Sequence, residues 1–108
     1  KSFLSNIQDS DLLGINKVII GIKDFSPVGL IGYSILEDKS AKVFMLYVDE
    51  RLRGNGIGKS LLDKLKLTKS LEKLKLEATR ESYTYWEQEG FIPIGEWIDN
   101  LRLYVFPV

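Results

Sequence analysis

A glycine-rich loop between a strand-like run and a helix-like run constrains the fold of this chain more than any other feature. The loop reads Arg53-Gly54-Asn55-Gly56-Ile57-Gly58-Lys59-Ser60, with glycine at every second position from 54 to 58. Glycine allows a positive φ and lets backbone N–H groups approach a ligand without interference from a Cβ atom. Because a helix start also carries about half a positive charge, the loop predicts a site for an anion such as a phosphate.

Two cations flank the glycines and favour an anion site over the alternative, a tight turn that only joins the strand to the helix. Arg53 and Lys59 could each add a charge-assisted hydrogen bond worth roughly 1.5–3 kcal/mol. Two common phosphate loops do not fit. A P-loop requires glycine where Arg53 stands, and the dinucleotide-binding fingerprint requires glycine where Lys59 stands. Both also belong to parallel sheets, whereas the runs before this loop predict an antiparallel meander.

Hydrophobic periodicity divides the rest of the chain into short elements. After the loop, the apolar positions 57, 61, 62 and 65 follow the spacing of one helical face. Ser82 can cap a later helix, and Gly90 stands where a glycine ends one. The predicted order is a helix within 1–16, strands over 18–22, 28–36 and 41–48, a helix from 57, a strand over 74–78, a helix over 82–88 and a hairpin over 91–97 and 101–108. The sequence therefore predicts one α+β domain over residues 1–108.

The composition excludes several classes of function. The chain has 108 residues without Cys or His, which removes Ser-His-Asp and Cys-His catalysis and the commonest metal ligands, so no metal site is predicted. Its 15 Lys and Arg balance 15 Asp and Glu, whereas a nucleic-acid-binding domain normally shows a basic excess. No apolar run approaches the ~20 residues of a membrane span, and no signal peptide opens the chain. We therefore expect a cytoplasmic protein without a nucleic-acid or membrane partner.

Two motifs resemble those of the GNAT-type (general control–related) N-acetyltransferases. Residues 53–58 match R-x-x-G-x-G, the pyrophosphate loop of that family. Residues 85–91 (YWEQEGF) are similar to its second signature, an aromatic pair, Glu, two variable residues and Gly-Phe. The resemblance implies a GNAT-like α+β fold with a mixed, mostly antiparallel central sheet flanked by helices. The strands over 41–48 and 74–78 should run parallel, since a helical crossover joins them.

The resemblance also implies acetyl-CoA as the acyl donor, bound in a cleft where the strands over 41–48 and 74–78 splay apart. Backbone groups of the first of these strands would hydrogen-bond the pantetheine arm and polarise the thioester carbonyl, while amides of the glycine loop would hold the pyrophosphate. The implied cofactor-binding residues are Leu46, Tyr47, Val48, Arg53, Gly54, Asn55, Gly56, Ile57, Gly58, Lys59, Ser60 and Trp86.

The reaction implied by the resemblance is direct attack of a neutral primary amine, on a small molecule or a peptide, at the thioester carbonyl. Many family members have a Tyr that protonates the leaving thiolate where this chain has Trp86. Tyr83 is the candidate catalytic acid instead, because residues three apart share a helical face, whereas Tyr85 is expected to point elsewhere. The alternative function is an acyl-CoA-binding sensor or interaction domain without catalysis.

A general base is not evident from the sequence. Some family members have a Glu on the third strand, but residues 41–48 contain no carboxylate. Glu77 and Asp49 are the nearest acids along the chain, and each is interpreted as a solvated surface charge. The base is then a water chain, or the amine arrives already neutral.

The first predicted strand indicates how the chain could form an oligomer. Fuller family members carry another strand and helix before the segment that resembles this chain, residues 18–108, so an N-terminally shortened fold is expected. The run over 18–22, flanked by Lys17 and Lys23, would then form an open sheet edge. We predict a homodimer through this edge or the closing hairpin; the alternative is a monomer whose residues 1–16 fold back over the edge.

Overall fold

Residues 14–108 are described by the computed structural model, and they form a six-stranded sheet with two helices packed into one hydrophobic core. The elements are β1 (Lys17–Lys23), β2 (Ser26–Ile35), β3 (Ser40–Val48), a 3-10 turn (Glu50–Leu52), α1 (Ile57–Lys66), β4 (Lys73–Thr79), α2 (Tyr83–Gln88), β5 (Ile92–Ile98) and β6 (Leu101–Pro107). These bounds confirm the predicted strands and the last two predicted helices, while the 3-10 turn was not predicted. The helix predicted within 1–16 lies outside the described residues except at 14–16, which are not helical.

The sheet is mixed and mostly antiparallel, as predicted. Its strand order is β1-β2-β3-β4-β6-β5, and β3 and β4 form its parallel pair. That parallel ladder is short, because it pairs only Ser40 with Lys73, Ala41 with Leu74 and Lys42 with Lys75. The two strands therefore separate beyond Lys42 and Lys75, and the end of β3 lies beside a gap in the sheet.

The turn before β3 is held by Asp38, which also contacts β4. Asp38 Oδ1 accepts hydrogen bonds from the backbone N–H of Ser40, at 3.1 Å, and from the Ser40 hydroxyl. Asp38 Oδ2 accepts one from Lys75 Nζ at 3.2 Å, which ties the start of β4 to this turn. Chiefly because of the Ser40 hydroxyl and then Lys75, the pKa of Asp38 falls from its ordinary 3.8 to about 2.

We expect Asp38→Asn to lower the free energy of unfolding at neutral pH and to have no such effect in acid. The folded-state pKa lies below the unfolded one, so the carboxylate stabilises the fold fully above pH 3.8 and loses this effect as the pH falls to about 2. Urea denaturation of both proteins across that range measures the difference. Glu37→Gln is the control at an adjacent exposed acid, and a difference for Asp38→Asn that does not change with pH would contradict the prediction.

The core lies between the sheet and the helices. α1 buries Leu61, Leu62 and Leu65 against β1, β2 and β3. Gly29 on β2 lets α1 approach the sheet closely, since a Cβ atom there would lie 3.1 Å from Leu61 Cδ1. Over residues 14–108, no helix has the length and apolar character to cross a membrane.

Gly90 ends α2, as its position in the sequence predicted. Gly90 has φ +95°, its N–H bonds to the carbonyl of Glu87, and the N–H of Phe91 bonds to the carbonyl of Trp86, both at 3.0 Å. This is a Schellman motif, and the rings of Trp86 and Phe91 pack edge to face at 5.3 Å, the apolar contact that accompanies it. The prediction that the Ser82 side chain caps the N-terminus of α2 was wrong. Ser82 stands at the N-cap but makes no capping bond, because its hydroxyl pairs with Thr79 instead.

Candidate functional site

A cleft of about 690 Å³ opens at the end of β3, beside the gap between β3 and β4. The start of α1 and the glycine loop form one wall, and α2 forms the other. The lining residues are Leu46, Val48, Arg53, Gly54, Gly56, Ile57, Gly58, Lys59, Glu81, Ser82, Tyr85, Trp86 and Glu89. The cleft therefore lies where the glycine loop predicted an anion site.

The N-terminus of α1 presents backbone donors to this cleft. Its N-cap is Gly56, with φ +79°, and no side chain caps the helix. The first intrahelical bond runs from Ser60 N–H to Gly56 O at 3.0 Å, so the amides of residues 57–59 have no intrahelical partner. A Cβ atom at Gly54 or Gly56 would meet nothing within 4 Å, so both glycines border open space. These donors and this space fit a phosphate group.

Short-range hydrogen bonds hold the loop in place. Asp49 caps the 3-10 turn through the N–H of Arg51 at 3.1 Å and pairs with the Arg51 guanidinium at 2.9 Å. Asn55 Nδ2 donates to the carbonyl of Leu52 at 2.9 Å, and Arg53 Nε donates to the carbonyl of Val48 at 3.4 Å. Asp49 is buried and its pKa is lowered by the hydrogen bonds from Arg51. The interpretation of Asp49 as a solvated surface charge was therefore wrong.

Charges of both signs face the cleft from opposite walls. Arg53 and Lys59 lie on the loop and α1, where they add to the positive field of the helix N-terminus. Glu81 and Glu89 lie at the two ends of α2. The amide of Asn100 donates to Glu81 Oε2 at 3.3 Å and is the main reason why the pKa of Glu81 is lowered, so this side chain remains a carboxylate.

The tyrosine that faces the cleft is Tyr85, not Tyr83. Tyr83 packs edge to face on Trp97, with ring centroids 5.5 Å apart, and is not among the lining residues. The lining residues within α2 and its caps are 82, 85, 86 and 89, the i, i+3, i+4, i+7 spacing of one helical face. On this helix Tyr83 and Tyr85 lie on either side of Trp86, and only Tyr85 is on the face that lines the cleft. The expectation that Tyr85 points elsewhere was wrong.

The other predicted residues fall into two groups. Most of the predicted cofactor-binding residues line the cleft, but Tyr47, Asn55 and Ser60 do not. Glu77 lies away from the cleft, where it pairs with Lys42 Nζ at 3.5 Å.

Four lining residues were not predicted from the sequence, namely Glu81, Ser82, Tyr85 and Glu89. The last three have the spacing of one helical face, which the sequence does contain. Among residues 14–108, no group of three or more acidic side chains is arranged to hold a metal ion.

The splayed sheet and the uncapped helix start form a cleft between two helices whose backbone donors suit an anionic ligand. A sequence profile of the acetyltransferase (GNAT) domain matches residues 9–100. The chain therefore belongs to the GNAT acetyltransferase family. No curated protein sequence matched the chain in a separate comparison.

Solved structures of acetyltransferases share this fold. A GNAT-family acetyltransferase from Staphylococcus aureus is 24% identical, with a TM-score of 0.72, over 83% of this chain and 66% of that one. An acetyltransferase from Thermus thermophilus is 17% identical, with a TM-score of 0.77, over 97% and 72%. An N-acetyltransferase from Thermoplasma acidophilum, in complex with coenzyme A, is 18% identical, with a TM-score of 0.73, over 84% and 60%. The chain thus spans between 60% and 72% of these proteins.

Proposed function

We propose that this chain is an acetyl-CoA-dependent N-acetyltransferase that acts on a primary amine of a small molecule or a peptide. The observation that carries the proposal is the uncapped N-terminus of α1, which faces the cleft beside the two cations Arg53 and Lys59. Family membership supports acyl transfer, and the coenzyme A in the Thermoplasma acidophilum enzyme supports the donor. We treat residues 1–108 as one acyltransferase domain.

The proposed donor site combines the loop with the end of β3. The amides of residues 54–59 and the two cations would hold the pyrophosphate, which carries the negative charge that this wall favours. Leu46 and Val48 line the cleft where β3 has left β4. We place the pantetheine arm along β3 from Leu46 to Val48, as the family resemblance implies, with Trp86 on the opposite wall.

The chain would contribute mainly orientation and charge. When bound, acetyl-CoA would supply an acetyl group activated as a thioester. The amine nitrogen would bond to the carbonyl carbon, the carbon–sulfur bond would break, and the proton lost by the nitrogen would end on the CoA sulfur as a thiol. An acceptor that arrives as an ammonium ion would first lose its extra proton to water. Holding donor and acceptor together removes much of the entropic barrier. The carboxylates of Glu81 and Glu89 face the same cleft and favour an acceptor that arrives as a cation. Tyr83 lies outside the cleft lining, so it is no longer proposed as the acid.

Calorimetric titration with acetyl-CoA is the first test of this proposal. We expect saturable binding by the wild-type protein, followed by release of free CoA, detected with a thiol reagent, when a panel of amines is added. No heat and no thermal shift at millimolar acetyl-CoA would contradict the proposal.

An acyl-CoA-binding module without catalysis is the second candidate. It is favoured by Trp86, which has no proton to give at the position of the family's Tyr, and by β3, which carries no carboxylate. This module would bind acetyl-CoA in the titration and release no CoA with any amine.

We also propose a homodimer through a sheet edge. β1 and β5 are the edges of the described sheet, and β1 exposes Val18, Ile20 and Ile22 by 47%, 48% and 69%. The closing hairpin exposes Ile94 beside Leu103. The monomer alternative depends on residues 1–16, which mostly lie outside the described residues.

Sedimentation at micromolar concentration is expected to show a species of twice the 12.3 kDa chain mass. Ile20→Lys should dissociate a dimer that uses β1, and Ile94→Lys one that uses the hairpin, because each buries a charge in the interface. A single species near 12.3 kDa for the wild-type protein would contradict the dimer.

A further inference from the structure

We propose that Tyr85 is a cofactor-binding residue whose hydroxyl donates a hydrogen bond to a phosphate oxygen of the acyl-CoA at the start of α1. This inference rests on the proposed function and deepens it. In this inference Tyr85 raises the affinity for the acyl-CoA and does not deliver a proton to the departing sulfur.

The position of the hydroxyl is the first argument. A Cβ atom built on Gly58 would lie 2.7 Å from Tyr85 Oη, so the hydroxyl crosses the cleft and lies over the first turn of α1. That turn carries the uncapped amides of residues 57–59. Any phosphate that these amides bind is therefore within reach of the hydroxyl.

Gly58 itself is the second argument. Its φ is not positive, unlike those of Gly54 and Gly56, so its backbone does not require glycine. Glycine within a helix costs roughly 0.5–1 kcal/mol relative to alanine. What glycine provides at this position is space, because any side chain would push Tyr85 Oη away from the helix start.

The chemistry of the hydroxyl is the third argument. No residue of the described structure forms a hydrogen bond with it. Burial, reinforced by the charge of Glu89, raises the pKa of Tyr85 to about 12. The hydroxyl therefore remains a donor at neutral pH. Transfer of its proton to a thiolate would be unfavourable, since even the cysteine thiol has an ordinary pKa of only about 8.5, whereas a hydrogen bond to an anionic oxygen requires no transfer.

The test measures affinity and turnover separately. For Tyr85→Phe, calorimetry should show a dissociation constant for CoA about tenfold higher or more, as the loss of a hydrogen bond to a charged group predicts. Its kcat at saturating acetyl-CoA and its pH profile should be unchanged. S-acetylpantetheine, which lacks the pyrophosphate, should be used equally well by both proteins. Tyr33→Phe, which removes a hydroxyl from the core on β2, is the matched control.

A second variant tests the geometry. Gly58→Ala should weaken CoA binding in the wild-type background, because the new methyl group displaces the hydroxyl, and should have no further effect in Tyr85→Phe. Unchanged CoA affinity in Tyr85→Phe overturns the inference, and so does a lower kcat with unchanged affinity, which would identify a proton donor. Failure of the wild-type protein to bind CoA overturns the proposed function itself, so the two failures are distinguishable.

Discussion

Gly56→Val is expected to weaken acetyl-CoA binding about a hundredfold or more. Gly56 is the N-cap of α1, and the space where its Cβ would stand is open and borders the cleft. A branched side chain there would occupy the place of the pyrophosphate and separate it from the amides. The loss of two hydrogen bonds to a charged group, each worth roughly 1.5–3 kcal/mol, accounts for this magnitude. Calorimetric titration of both proteins measures it.

The variant also strains the backbone, and a matched control separates this effect. Gly56 has φ +79°, which costs a side-chain-bearing residue roughly 1–2 kcal/mol. Gly95 has φ +75°, also borders open space, and lies on β5 away from the cleft. Gly95→Val should therefore lose similar stability and keep its affinity for acetyl-CoA. Equal affinity losses in both variants would show that strain, not the site, is responsible.

Trp86→Ala is expected to lower the free energy of unfolding by about 3–5 kcal/mol, the cost of deleting a buried Trp or Phe side chain. Trp86 is 9% exposed, and its ring packs edge to face on Tyr85 at 5.1 Å and on Phe91 at 5.3 Å. The substitution would leave a cavity beneath α2 and remove the apolar contact of its Schellman motif. Because a domain is stable by only about 5–15 kcal/mol, this loss is a large fraction of the total.

Trp97→Ala is the control for this prediction. Trp97 is half-buried, with the guanidinium of Arg80 4.5 Å from its ring and the ring of Tyr83 at 5.5 Å. Such a cation–π contact near the surface is worth about 0.5–1 kcal/mol, so the control should lose less stability than Trp86→Ala. Urea denaturation followed by circular dichroism compares the two. Equal losses would contradict the assignment of Trp86 to the core.

The fold was largely predictable because its signals are local. The β-prone runs, the helical spacing from Ile57 and the turn residues each act over a few positions, and a family motif added the strand order. Gly90 shows how direct such a signal is, since φ +95° at the end of α2 is the conformation that glycine adopts without strain. The glycine loop predicted the position of the cleft for the same reason. Its donors are backbone amides, and their placement depends on φ rather than on distant packing.

Tertiary structure decided which side chains of α2 face the cleft and which enter the core. Tyr83, Tyr85 and Trp86 are all large aromatic residues, so hydrophobic pattern does not say which of them enters the core. The structure buries Trp86 against Phe91, and this contact sets the rotation of α2 about its axis. Tyr85 then turns towards Gly58, and Tyr83 turns towards Trp97. By itself, the sequence determined the strands, the helices and the loop that offers its amides. Which side chains meet those amides depended on contacts between residues far apart in the chain, which local periodicity does not encode.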